Sequence, residues 1–252
     1  MRSGNPALND KTFDQFDNYY AQDGAVERAN VMTLEGTATK TCILLFLVVG
    51  GAFFTWNQFN ANPAAAMPWM IGGAISGLIL AFVTIFKPAW SPVTSPMYAI
   101  AEGLLLGALS ASVNARFPGI AFQAVCLTFG TLFTLLLAYQ TGIIKATENF
   151  KLGVVAATGG IFVVYLISWI AGMFGMNIPY IHGSGLIGIG FSIFVVIIAA
   201  LNLVLDFDFI ETGVEHGAPK YMEWYGAFGL LVTLIWLYIE ILRLLAKLQS
   251  RD

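Results

Sequence analysis

Five ionisable residues stand inside strongly apolar stretches of this chain: Glu102 in YAIAEGLLLG, Asp206 and Asp208 in LVLDFDFIETGVEHG, and Glu240 and Arg243 in LYIEILRLL. A carboxyl group in such surroundings can exchange a proton, pair with a passing cation or neutralise a nearby base. An isolated charge there is costly, about 2.5–3.5 kcal/mol for a central Asp or Lys in insertion measurements, so each of the five is read first as a functional residue.

Glu102 lies about nine residues into its apolar run, a depth of about 13 Å at the helical rise. No lysine or arginine falls within a turn of it. It is therefore a candidate proton or cation site, with a neutral carboxyl hydrogen-bonded to a neighbouring helix as the plain alternative. Asp206 and Asp208 are separated by about 200° around a helix and cannot share a face. Asp206 is expected to point inward, about one turn inside the membrane edge. Asp208 joins Glu211 and Glu215 in a solvated acidic end. Glu240 and Arg243 are three apart, close enough to form a local ion pair, and the simplest account has that pair snorkelling toward water.

These residues need elements to hold them, and composition says which. Of 252 residues 58% are hydrophobic and 11% charged, against about 25% charged in ordinary soluble domains. This is the balance of an integral membrane protein, whose spans need about 20 apolar residues each. Seven runs qualify, near 38–59, 66–86, 93–113, 118–140, 152–175, 185–205 with an extension to 210, and 223–245. Pro, Gly and Asn mark the joins, as in NANP, KPAWSP, NARFPG and MNIPYIHGSG. The expected class is all-α, a polytopic bundle of seven transmembrane helices in one membrane domain over 38–248. Residues 1–37 form a polar, acidic segment without an apolar h-region, so the first run is expected to act as the insertion signal.

The positive charges orient the bundle. With the N-terminus in the cytoplasm, the inner segments hold Arg2, Lys11, Arg28, Lys40, Lys87, Lys145, Lys151 and Lys220, and the outer ones Arg116, Arg243, Lys247 and Arg251. That asymmetry favours N-in and C-out, although three of the four outer charges cluster at the C-terminal end. Gly73 with Gly77, and Gly103 with Gly107, form two small-xxx-small patterns suited to close helix approach. Cys42 and Cys126 lie in apolar runs and read as small buried hydrophobes.

Several functions are disfavoured. The net charge of −3 comes with no basic patch for nucleic acid. No lysine sits mid-span to carry a retinal Schiff base. The two histidines, His182 and His216, fall in loops on opposite sides, which does not suit a zinc hydrolase. Glu102 and Asp206 are a pair of carboxylates, but no nucleophile with an oriented base accompanies them. The chain is therefore expected not to be an enzyme, and to have no cofactor and no tight metal site.

Taken together, the seven runs, YAIAEGLLLG, the aspartate late in the sixth run and the closing EWYGAFGLLVTLIWLYIEILRLL resemble the Bax inhibitor family. The likeness covers roughly residues 30–248 and is best in the third, sixth and seventh runs. It implies a bundle whose last helix is central, surrounded by the other six. It also implies pH-sensitive leak of calcium or other cations, stress protection and, in bacteria, a membrane-anchored protease as partner. Two aspartates that share a proton act as the family's pH sensor, and basic residues latch the closed state. On this resemblance Asp206 matches the sixth-helix aspartate, Glu102 the third-helix glutamate and Arg243 the seventh-helix arginine. Thr233 stands where the second aspartate is expected. The usual dyad is then lost, and a proton-sensitive site of Asp206 and Glu102 is expected instead, with Thr233 as a hydrogen-bond donor and Lys87 as a latch.

Two functional expectations follow. The first is a passive, proton-gated leak for calcium or another cation. Calcium takes about 6–8 oxygens, so two or three carboxylates with water suit passage better than tight binding. The alternative is a non-conducting regulator of a stress pathway or membrane protease, which would dock through the acidic segment with its Phe13, Phe16, Tyr19 and Tyr20. Short loops and the absence of an organelle signal fit a bacterial inner membrane.

Overall fold

The computed structural model describes residues 30–174, 183 and 185–251. They contain seven long helices: α1 (Leu34–Ala61), α2 (Pro63–Phe86), α3 (Ser91–Arg116), α4 (Ile120–Gln140), α5 (Glu148–Met173), α6 (Leu186–Glu215) and α7 (Met222–Gln249). A 3-10 turn, Pro88–Trp90, leads into α3. All seven helices are long and apolar enough to cross a membrane. The helix closes its own backbone hydrogen bonds, which hydrocarbon cannot do for it. The docking residues expected at 13–20 and the loop histidine at 182 lie outside the described residues.

Local chemistry sets the helix ends. The Thr33 hydroxyl accepts the Gly36 amide at 3.0 Å and caps α1. Asn62 caps α2 through the Ala64 amide at 3.0 Å, with Pro63 in the first position, where a missing N–H costs nothing. The sixth helix runs to Glu215, five residues past the expected extension to Ile210. Its close comes at Gly217, whose φ of 64° lies in the left-handed region. There the Ala218 amide reaches the Gly213 carbonyl at 2.9 Å, a glycine-dependent helix stop.

The chain divides into two compact units. The first joins α1, α2 and α3 to residues 206–232, the end of α6 and the start of α7. In it α3 packs against both α1 and α2. A Cβ at Gly103 would meet the Val48 carbonyl at 2.4 Å, one at Gly107 the Ala52 carbonyl at 2.1 Å, and one at Gly73 the Ala101 carbonyl at 2.5 Å. Gly73, Gly103 and Gly107 thus lie where two backbones touch, whereas Gly77 makes room for a side chain. Tyr98 meets Phe228 edge to face at 4.9 Å. The chain ahead of α1 pairs with the turn between α6 and α7: Val31 bridges Pro219, Met32 N donates to Ala218 O at 2.7 Å, and Lys220 N donates to Asn30 O at 2.9 Å.

The second unit joins α4 and α5 to the first part of α6 and the last part of α7. Its core gathers Ile161, Val195 and Ile198 with Tyr165, Phe191 and Trp236. Asn202 is buried there and donates to Thr158 Oγ1 at 2.9 Å and to the Ile198 carbonyl at 2.8 Å. In each unit the α7 portion is enclosed, through Tyr225, Phe228 and Leu231 in the first and Leu234, Leu237 and Leu242 in the second. No other span is as buried: 61% of its most apolar stretch, against 11% for α5.

Large apolar side chains, among them Phe46, Phe53, Phe122 and Phe162, point outward. Such a surface would aggregate in water and is at home against acyl chains. Cys42 and Cys126 share it. Both are free and exposed, which corrects the reading of them as buried. Each is apolar because lipid surrounds it, and protein does not enclose it.

Close helix approach generates a stability test. Gly107→Val places atoms where the α1 backbone already lies and is expected to destabilise the protein by about 1–3 kcal/mol, the usual cost of overpacking. Gly72→Ala, where an added Cβ meets nothing within 4 Å, is expected to leave thermal unfolding in detergent unchanged.

Candidate functional site

Besides Lys151, which is buried on α5 near Glu148, the described residues carry enclosed charge in three places. The first contains the residues singled out from sequence. Asp206 is wholly buried, 0% exposed, in the last third of α6. Asp208 is half-buried, and Glu211 and Glu215 are exposed. The helix thus separates the two aspartates as the 200° rotation demands, one enclosed and the other at the edge of an acidic, solvated end. Glu102 stands on α3, partly buried, in a notch that exists because Gly77 of α2 has no side chain. A Cβ at Gly77 would come within 2.8 Å of Glu102 Oε1. Tyr98, one turn earlier on α3, faces the same carboxyl.

The approach to Glu102 is polar on one side only. Ser91, Thr94, Ser95, Tyr98 and Glu102 fall within an arc of about 100° on α3 at the helical rotation per residue. Beyond Glu102 the same arc carries only Leu105 and Leu109 until Ser112, near the far end of α3. The Thr84 and Thr94 hydroxyls share a hydrogen bond of 2.7 Å. Ser91 donates to the Tyr221 carbonyl at 3.0 Å, which ties α3 to the start of α7. The polar stripe therefore runs from one end of α3 to its middle and stops at the carboxyl.

The second place was not anticipated. Glu223, in the first turn of α7, has a fully buried side chain. Its carboxylate pairs with Lys40 of α1 and with Lys220 at 2.9 Å. It also accepts the Thr33 amide at 2.9 Å and the Thr33 hydroxyl at 2.7 Å. A Cβ at Gly36 would stand 2.1 Å from Glu223 Oε1, so glycine is what lets α1 pass the carboxylate. Lys40 also lies over the Trp224 ring, 5.6 Å from its centroid. The positive end of the α7 dipole adds to the stabilisation of a carboxylate in the first turn. The available signal was the Lys220–Glu223 spacing of three; the long-range partners Lys40 and Thr33 leave no local pattern. Lys87, the expected latch, is exposed at the end of α2. In this unit Lys40 and Lys220 both hold the buried Glu223.

The third place is in the other unit. Glu240 and Arg243 pair at 3.1 Å, as their spacing predicts. The carboxylate does not snorkel, however: the Glu240 side chain is 2% exposed. Tyr165 of α5 reaches in and donates its hydroxyl to the carboxylate at 3.0 Å, which makes an enclosed position affordable. Lys247, one turn on, is buried too and donates to the Gly188 carbonyl at 3.1 Å and to Ser192 Oγ at 2.9 Å. Thr233 is 3% exposed on α7. Among the described residues no three His, Cys, Asp or Glu side chains gather into a metal site.

The Glu223 cluster makes a ranked prediction. Lys40→Ala removes the less exposed of the two lysines, 17% against 47%. It should destabilise by about 1–3 kcal/mol, the cost of depriving a buried polar group of a partner. Lys220→Ala should cost about 0–1 kcal/mol, the range of a solvent-screened pair. Thermal unfolding of the two variants in one detergent gives the order, and equal costs would contradict the assignment.

The likeness to a known family rested on the seven runs, YAIAEGLLLG, the aspartate late in the sixth run and the closing pattern of the seventh; the structure buries that aspartate and sets the glutamate of the third run in a notch. Comparison with known proteins bears on it directly. A family model described as Bax inhibitor 1 like matches residues 5–250, nearly the whole chain. No curated protein and no solved structure matches. The match takes in all seven helices and all three charged sites, and the chain belongs to the Bax inhibitor 1-like family.

Proposed function

We propose that this membrane protein is a passive, proton-sensitive leak for calcium or another cation, and not an enzyme. The observation that carries the reading is Asp206, a carboxyl group enclosed completely near one end of a membrane helix. A group so placed cannot change charge without a response from its surroundings. Its protonation state and the local helix packing are therefore coupled. Glu102 supplies the second carboxyl, mid-span, at the end of a hydroxyl-lined stripe through which a proton or a partly hydrated cation can be handed inward. A tight calcium site takes about 6–8 oxygens, and two separate carboxyls with water suit passage better than storage.

In this reading Thr233 stands in the seventh helix where the family's second carboxyl is expected, and the proton response belongs to Asp206 and Glu102 as separate groups. The closed state is held by lysine–carboxylate contacts of the kind Lys40 makes. The surrounding membrane is proposed to be the inner cell membrane, with the N-terminus cytoplasmic, from the lysine and arginine asymmetry.

Flux from proteoliposomes loaded with calcium or potassium, followed across a range of pH on either side of neutrality, tests the proposal. Wild-type flux should depend on pH. Asp206→Asn should flatten that dependence, and Glu102→Gln should lower the flux itself. Removal of residues 1–29 should leave both unchanged. Should Asp206→Asn keep the wild-type pH profile, the leak reading fails. Loss of a co-purifying membrane protease on removal of residues 1–29, with no flux at any pH, would favour the regulatory alternative.

A further inference from the structure

The charged cluster near the C-terminal end of α7 has a feature that the leak does not use. Arg243 carries five N–H donors on a planar guanidinium. Every hydrogen bond it makes with described residues passes through Nη1: to Tyr165 Oη at 2.8 Å and to the two Glu240 carboxylate oxygens at 3.1 and 3.2 Å. The Tyr165 ring lies beneath the guanidinium, 5.3 Å from centroid to Cζ. One edge of the group is thus clamped, while the side chain keeps 38% of its surface exposed. A guanidinium held by one nitrogen presents Nη2 and Nε as a preorganised pair of donors, the fork that matches two oxygens of a phosphate.

Position and charge narrow the ligand. Arg243 lies six residues before the end of α7, about 9 Å along the axis, near enough to that end for a long basic side chain to reach a headgroup. Trp169, one turn beyond Tyr165 on α5, is 66% exposed, as expected of a residue anchoring at the membrane–water interface. Lys247 stands one helical turn after Arg243. Glu240 balances only one of the two bases, so the cluster keeps a net positive charge beside the open edge. A soluble anion and a lipid could both offer the phosphate. The apolar surface around Phe162 and Trp169 gives a lipid's acyl chains a place to lie that a free anion does not need.

We propose that Arg243, clamped by Glu240 and Tyr165, is the anchor of a binding site for the phosphate of an anionic phospholipid headgroup. The site is independent of Asp206 and Glu102, and its occupancy does not require that the protein conduct.

The test uses the full chain, delipidated in detergent, with phosphatidylglycerol, phosphatidylcholine and inorganic phosphate as probes, and bound lipid counted by native mass spectrometry. Phosphatidylglycerol is expected to be retained in preference to phosphatidylcholine. The double variant Glu240→Gln with Arg243→Ala leaves no orphaned charge and should weaken that retention about tenfold, the scale of one lost charge-assisted contact. Arg243→Lys keeps the charge without the fork and should fall between. Retention by the double variant equal to wild type overturns the proposal. So does displacement of the lipid by millimolar inorganic phosphate without preference for phosphatidylglycerol, which would assign the site to a soluble anion.

Discussion

Hydrocarbon offers no hydrogen bond, and everything else in this molecule answers to that fact. Each polar atom carried into a span must find its partner within the protein or be left costly and unsatisfied. Helices settle the backbone. Buried hydroxyls are settled locally: Thr37, Thr41, Thr84 and Thr128 each return a hydrogen bond to the carbonyl four residues back, the usual recourse of threonine inside a helix. Ionisable groups cannot be served so cheaply and draw in residues from distant parts of the chain.

The three charged sites show different solutions to the same constraint. Glu223 is saturated, with two lysines, a threonine hydroxyl and a backbone amide on one carboxylate. It acts as a fastener between the start of α1 and the start of α7. Glu240 is shared among a tyrosine and an arginine, which leaves part of the arginine unused. Asp206 is wholly enclosed, on a stretch of α6 where Leu203, Leu205, Phe207 and Phe209 are buried as well, so a change in its charge must be met inside the protein. A fastener tolerates no change of charge, whereas a sensor depends on one. That contrast is why Asp206 carries the functional proposal and Glu223 does not.

Much of this was legible in the sequence because hydropathy and helical rotation are local properties. The number of spans, their approximate limits, the opposite fates of Asp206 and Asp208, and the Glu240–Arg243 pair all follow from spacing along one chain. The two glycine pairs could be seen, but their partners could not. Gly103 and Gly107 turn out to face α1, and Gly77 makes room for a carboxyl group on another helix. Cys42 and Cys126 were misread for a related reason: apolar sequence does not say whether lipid or protein is to cover a residue, and here protein does not.

The sequence by itself determined the class, seven helices in a membrane, and pointed to Glu102, Asp206 and Glu240 as carboxyls in apolar stretches, but not to Glu223. It did so because transfer into lipid is decided residue by residue and turn by turn. Only the tertiary structure decided who meets those carboxyls. Lys40 lies 183 positions from Glu223, and Tyr165 lies 75 from Glu240. Contacts at such separations follow from which helix faces touch, a matter of shape and close packing that no local pattern encodes.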